Sequence, residues 1–193
     1  MNSRGLGTTL VCGIGLSLLG PPHQGAAEAA AFDQTPPAPS PGAALCYDAA
    51  RRQWVAFGGR TSTGVSDEVA IYDAAAARWS RVGVDPDSPQ PPARAYSAAV
   101  VAGEGALLIF GGEDDGALAR DDTWVFDFVS RWWWQFTPQP GDQNPDPRVK
   151  GQLSYDVASG AVVLRGGLPY RGGPPLADCW QLDREARNWV RVW

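Results

Sequence analysis

"LIFGGEDDG", Leu108 to Gly116, is an apolar run halted by two glycines and followed by an acidic turn. Taken alone it fits a strand entering a phosphate-cradling turn, the start of a calcium loop, or one copy of a periodic unit. Its recurrence decides for the last. The glycine pair stands in "VAFGGR" (Gly58, Gly59), "LIFGGE" (Gly111, Gly112) and "VLRGGL" (Gly166, Gly167), at spacings of 53 and 55 residues. After each pair a strand-like run ends in aspartate: "VAIYD" at Asp73, "TWVFD" at Asp127 and "CWQLD" at Asp183. Six residues beyond each aspartate stands a tryptophan, Trp79, Trp133 or Trp189. Before each pair lies a further run, "AALCYD", "RAYSAAVV" or "KGQLSYD". A supersecondary unit used three times is the signature of a repeat architecture.

Four short runs per unit, separated by turn residues, predict one four-stranded antiparallel sheet. In the middle unit the strands a to d are expected at about Tyr96–Val101, Leu107–Phe110, Thr123–Asp127 and Trp132–Phe136. Strand b is apolar at every position ("ALLIF", "AVVL"), which predicts burial on both faces, as in sheets stacked on sheets. Each conserved-looking position has a physical task. Paired glycines allow positive φ and close approach of a neighbouring backbone. The aspartate accepts hydrogen bonds from amides of the c–d turn. The tryptophan fills the wide outer gap between sheets, and in "RWWWQF" all three rings fit as packing residues, a stacking platform for a sugar or base being the alternative.

The pattern resembles the Kelch repeat, the blade of Kelch-type β-propellers such as galactose oxidase-like proteins, over about Ser40 to Trp193. The resemblance implies an all-β, Kelch-type β-propeller with three four-stranded antiparallel blades at about 41–83, 94–137 and 148–193. Two departures stand out: Pro41 replaces an arginine in the first unit, and Arg165 stands where Phe57 and Phe110 stand in the others. Propellers close with about four to eight blades, so three leave apolar faces that cannot stay wet. Closure is expected by a homodimer making a six-bladed ring, by a different chain, or by further blades of a longer protein.

The N-terminus is different material. Arg4 is the only charge before Glu28, and an apolar stretch from Leu6 to Leu19 precedes "GPPHQGAAEAAAFDQ". This predicts a signal peptide over 1–31, a Pro-rich linker over 32–40, and a secreted or periplasmic protein. The apolar stretch is shorter than the roughly 20 residues of a membrane helix, so no stable membrane span is expected after cleavage. The single histidine, His23, lies in this segment, and Cys46 and Cys179 are expected as buried thiols. No zinc site, no histidine-based triad and no galactose oxidase-type copper site is therefore expected; neither cofactor nor metal is assigned. A formal charge of −5 over 193 residues argues against nucleic acid, which requires a basic surface.

The b–c loops ("RTSTGVS", "EDDGALARD", "LPYRGGPPLA") and d–a loops are the long ones, and long loops on a rigid scaffold carry binding. The candidate ligand residues are accordingly Arg60, Glu113, Asp114, Arg120, Tyr170 and Arg171, with Arg94 and Arg148 entering at the start of strand a. Their guanidinium forks suit carboxylates or sugar hydroxyls; for Arg94 and Arg148 a structural role bridging blades is the competing reading. "EDDG" lacks the distal glutamate of a full calcium loop and reads as a solvated acidic turn. The functional expectation is a non-enzymatic binding module for a protein or glycan, the alternative being a remnant or subunit of a galactose oxidase-like or sugar epimerase-like enzyme.

Overall fold

The computed structural model describes residues 38–192 apart from Glu104, Pro140, Arg171 and Ala186. The signal segment, His23 and most of the linker lie outside the described residues. In chain order the strands are β1 (Ala44–Asp48), β2 (Gln53–Phe57), β3 (Arg60–Thr61), β4 (Gly64–Val65), β5 (Val69–Asp73), β6 (Arg78–Arg81), β7 (Ala98–Ala102) and β8 (Ala106–Phe110). They continue with β9 (Thr123–Asp127), β10 (Trp132–Phe136), β11 (Arg148–Val149), β12 (Gln152–Asp156), β13 (Ala161–Arg165), β14 (Leu168–Pro169), β15 (Cys179–Asp183) and β16 (Asn188–Arg191). Three antiparallel sheets result, in the orders β1-β2-β5-β6, β7-β8-β9-β10 and β12-β13-β15-β16. The β7 strand neighbours both β1 and β12, so strand a of each blade lies on the inner side and strand d on the outer.

The all-apolar b strand of blade 2 is buried on both sides, for the reason its sequence suggests, whereas in blade 3 Val163 is half-buried and Arg165 exposed. Side chains alternate across a strand, so Leu107 and Ile109 pack with Val55 and Phe57 of blade 1. Leu108 and Phe110 pack with Val162 and Leu164 of blade 3. On the outer side each seam holds an aromatic wedge. Trp133 meets Phe57 edge-on at 5.5 Å, and Trp189 meets Phe110 at 5.6 Å. Trp79, with no earlier blade before it among the described residues, is half-buried. The expectation that all of "RWWWQF" packs is corrected at Trp134, which is 43% exposed on the outermost strand. The repeat aspartates cap their turns: Asp73 Oδ1 accepts from the Ala75 and Ala76 amides, and Asp127 Oδ1 from Val129 and Ser130. Cys46 and Cys179 are both buried thiols. Burial, and then the Asp48 charge, push the Cys46 thiol up to about 12.

Strand a begins later than its sequence pattern suggests. Tyr96 has φ 59° and Lys150 φ 57°, with Gly42 at 72° in blade 1, so the inner strand kinks there and β7 starts at Ala98. Ahead of the kink the chain pairs across the b–c loop instead, through β11 with β14 and an Ala95–Glu113 bridge. Aligning the three kinks also corrects the first unit: Ser40, not Pro41, occupies the arginine position. Its Oγ donates to the Gly58 carbonyl at 3.0 Å, just as Arg94 donates to Gly111 and Arg148 to Gly166.

Each seam is stitched by the same three backbone hydrogen bonds. Between blades 1 and 2 these run from Gly59 N to Arg94 O, Arg94 N to Ser66 O and Tyr96 N to Gly42 O. Between blades 2 and 3 they run from Gly112 N to Arg148 O, Arg148 N to Arg120 O and Lys150 N to Tyr96 O. The glycine pair is required by this approach. A Cβ on Gly58 would lie 2.4 Å from Arg94 O, and one on Gly111 2.5 Å from Arg148 O.

Candidate binding surface

The arginines of the b–c side fall into two physically different sets. Arg94 and Arg148 are fully buried. Arg94 grips Asp122 bidentately, with Nη2 2.8 Å from Oδ2, and Arg148 grips Asp178 at 2.6 and 2.8 Å. With Nε on the Pro92 or Asp146 carbonyl and Nη1 also on a glycine carbonyl, four of the five N–H groups of each are occupied. The carboxylates are completed by indoles: Trp124 Nε1 donates to Asp122 at 2.8 Å and Trp180 Nε1 to Asp178 at 2.6 Å. Burial pushes the Asp122 carboxyl up, but the Arg94 hydrogen bonds and charge more than offset it and hold it below the usual range. Asp178 is likewise held low, chiefly by Arg148. These two guanidiniums therefore latch strand a to strand c within a blade, which takes them out of the surface to which the sequence assigned them.

The remaining candidates do gather. The Arg60 guanidinium pairs with Glu113 of the next blade, and it stands 5.6 Å from the Tyr96 ring centroid. Hydrogen bonds to Glu113, then to Tyr96, raise its pKa further. The Lys150 ammonium lies 5.1 Å from the same ring. A tyrosine ring with two cations this near is held by the attraction of charge to the ring quadrupole. The kink puts it there: positive φ at Tyr96 and Lys150 turns two side chains out of the sheet onto the inner rim.

Beside this cluster, Glu113, Ala119, Val149, Leu168, Pro169 and Tyr170 line a cleft of about 250 Å³ between the b–c loops of blades 2 and 3. Asp114 braces the acidic turn next to it. Its Oδ1 accepts from the Gly116 and Leu118 amides, each at 3.0 Å, and its Oδ2 pairs with Arg120 at 3.1 Å. The acidic turn is thus internally satisfied by amides and arginine. Arg120 Nε is buried with no hydrogen-bond partner. Arg171 lies outside the described residues. A larger hollow of about 420 Å³, near Ser159, Gln181 and Val190, is the outward side of blade 3 near its a–b and c–d turns, away from this cluster.

Tyr96 and Lys150 are absent from the sequence-based set. The signal was available, since each lies two residues beyond an arginine at the same repeat position. Asp122 and Asp178, just before strand c, were equally legible as partners for those arginines. Among the described residues no group of three His, Cys, Asp or Glu side chains is placed to hold a metal ion, and no helix is long and apolar enough to cross a membrane.

The sequence profile of the KLHDC2/KLHL20/DRC7 Kelch-repeats domain matches residues 23–192. Among curated relatives, the serine/threonine-protein phosphatase BSL2 of Arabidopsis thaliana is 31% identical over 127 residues. That match covers 64% of this chain and 12% of the relative.

Proposed function

The chain belongs to the Kelch-repeat domain family, and from that premise we propose that it is an exported, non-enzymatic interaction module. It engages an acidic segment of a protein partner through the b–c loop rim. The observation that carries this reading is the Arg60–Tyr96–Lys150 cluster beside the Glu113–Tyr170 cleft. Kelch-repeat domains mediate protein interactions, and rigid loops around an inner rim are where such folds present side chains. Lys150 is exposed and offers a compact charge with three donors. Arg60 is part-exposed and can turn from Glu113 to a ligand carboxylate. The cleft supplies the apolar floor. Engagement of Glu113 and Asp114 by arginines supports binding over proton transfer, the chemistry on which an epimerase-like or galactose oxidase-like reading depends.

Peptide and glycan arrays probed with the purified protein and with Arg60→Ala/Lys150→Ala test the reading. Acidic peptides should be retained by the native chain and lost by about tenfold or more in the variant, with unchanged melting and strong salt dependence. Retention of glycans alone, equal for both proteins, would overturn it. Export rests on the basic start and short apolar stretch of residues 1–31. The exported protein should begin near Phe32 by intact mass, and an uncleaved N-terminus would contradict export by this route.

A further inference from the structure

The outward faces of blades 1 and 3 complement each other, and their departures from the repeat are reciprocal. At the seam between blades 2 and 3, Phe110 of the leading blade meets the Arg148 guanidinium, 6.0 Å from its ring centroid, and the Trp189 indole. On blade 3 the leading position is Arg165, which is exposed. A following blade built to the pattern of blades 2 and 3 would set a second guanidinium against it. Blade 1 does not: it has Ser40 at that place, with Glu68 where Asp122 and Asp178 stand and Ala70 where Trp124 and Trp180 stand. The missing arginine and indole leave a cavity of about 150 Å³ lined by Ser40, Gly58, Ser66, Glu68 and Ala70. It has an acidic and hydroxylic wall, and the Glu68 carboxylate pairs with a largely exposed Arg81 at 3.1 Å.

The backbone repeats this match. By the seam pattern, blade 3 presents the Gly167 N–H and the Leu176 and Lys150 carbonyls, while blade 1 presents the Ser40 and Gly42 N–H groups and the second lone pair of the Ser40 carbonyl, whose first accepts from Ala43 N at 3.1 Å. One donor and two acceptors face one acceptor and two donors. Gly166 shows the same readiness. A Cβ there would meet nothing closer than 3.3 Å, whereas Gly58 and Gly111 are blocked by the next blade.

We propose that blade 3 of one copy docks on blade 1 of a second copy, with Arg165 entering the Ser40–Glu68 cavity beside Trp79. Two such contacts close six blades into a ring, within the usual range of four to eight. Gln152, Ser154 and Gln181 occupy places held by Ala98, Val100 and Val125 in blade 2, so this seam is more polar than the internal ones and the association is reversible.

Sedimentation equilibrium of the full chain, over a dilution series, tests the proposal. Twice the chain mass is expected, dissociating on dilution. Arg165→Glu should weaken association by about tenfold or more, the range of a desolvated charge contact, with the circular dichroism spectrum retained because Arg165 is exposed. Arg165→Glu/Glu68→Arg should restore the dimer. A monomer at every concentration would overturn the proposal. So would a dimer indifferent to Arg165→Glu, which would use another face, or open polymers, which would mean that the contact does not close.

Discussion

The two seams between blades are built on one plan and differ in a side-chain acceptor for the tryptophan N–H. At both, a tryptophan of strand d stands edge-on to a phenylalanine of the preceding blade at nearly the same distance. At the second seam Trp189 Nε1 donates to Thr123 Oγ1 at 2.9 Å. At the first, the equivalent of Thr123 is Val69, and Trp133 Nε1 is buried with no partner. The first seam compensates with rings, since Trp133 also contacts Trp124 and Phe126. The ring wedge is thus the shared requirement, and the indole hydrogen bond is an addition that one seam forgoes.

The largest expected effect tests whether the seams share a foundation beneath that difference. Arg94→Ala and Arg148→Ala each remove a buried guanidinium and strand a part-buried carboxylate, and should cost about 3 kcal/mol of stability. Comparable losses for both, read by denaturant unfolding, would place the latch below the wedge as a common base; a small loss for either would break the parallel. Next, Trp189→Phe should cost about 1–2 kcal/mol more than Trp133→Phe, because only the former gives up a hydrogen bond and leaves Thr123 unpaired. Equal costs would show that the Trp189–Thr123 bond contributes nothing.

The exchange of the acceptor sharpens the same point from the other side. Thr123→Val should cost about 1–2 kcal/mol, while Val69→Thr should come close to neutral, its hydroxyl finding the Trp133 N–H. A loss on Val69→Thr as large as that on Thr123→Val would mean that the first seam cannot accept the bond. A pH dependence is expected at the first seam as well, where Cys46 lies in the core cluster. Its folded pKa is raised from 9.0 to about 12, so its contribution is complete below pH 9 and fades as pH rises toward 12, by at most about 1.4 kcal/mol per pH unit. Stability measured from pH 8 to 11 should fall less steeply in Cys46→Ala than in the native chain.

What was legible in the sequence is what recurs at fixed spacing. Gly58, Gly111 and Gly166, their aspartates and their tryptophans are required by local geometry that every copy repeats, so three copies reveal them. The register of the first unit was not legible. Ser40 replaces an arginine by a residue unlike it in size and charge, and the neighbouring prolines offer a false alignment to Pro41. The kink at Tyr96 was hidden for a related reason, since a tyrosine at positive φ carries no glycine-like mark, and only Gly42 in blade 1 betrays the conformation. Arg94 and Arg148 were seen but could be read either way, because burial depends on Asp122 and Asp178, contributed some thirty residues later by another strand.

The placement of the seam bonds has a mechanical consequence. The bonds from Tyr96 to Gly42 and from Lys150 to Tyr96 run along the inner edge, while the tryptophan wedges sit at the outer edge, like the spine and fore-edge of a book. Loosening a wedge leaves the spine tied, so the sheets splay about the inner edge before they part. Amide exchange should then quicken first in β10 and β16, with the Tyr96 and Lys150 amides the last to surrender their protons.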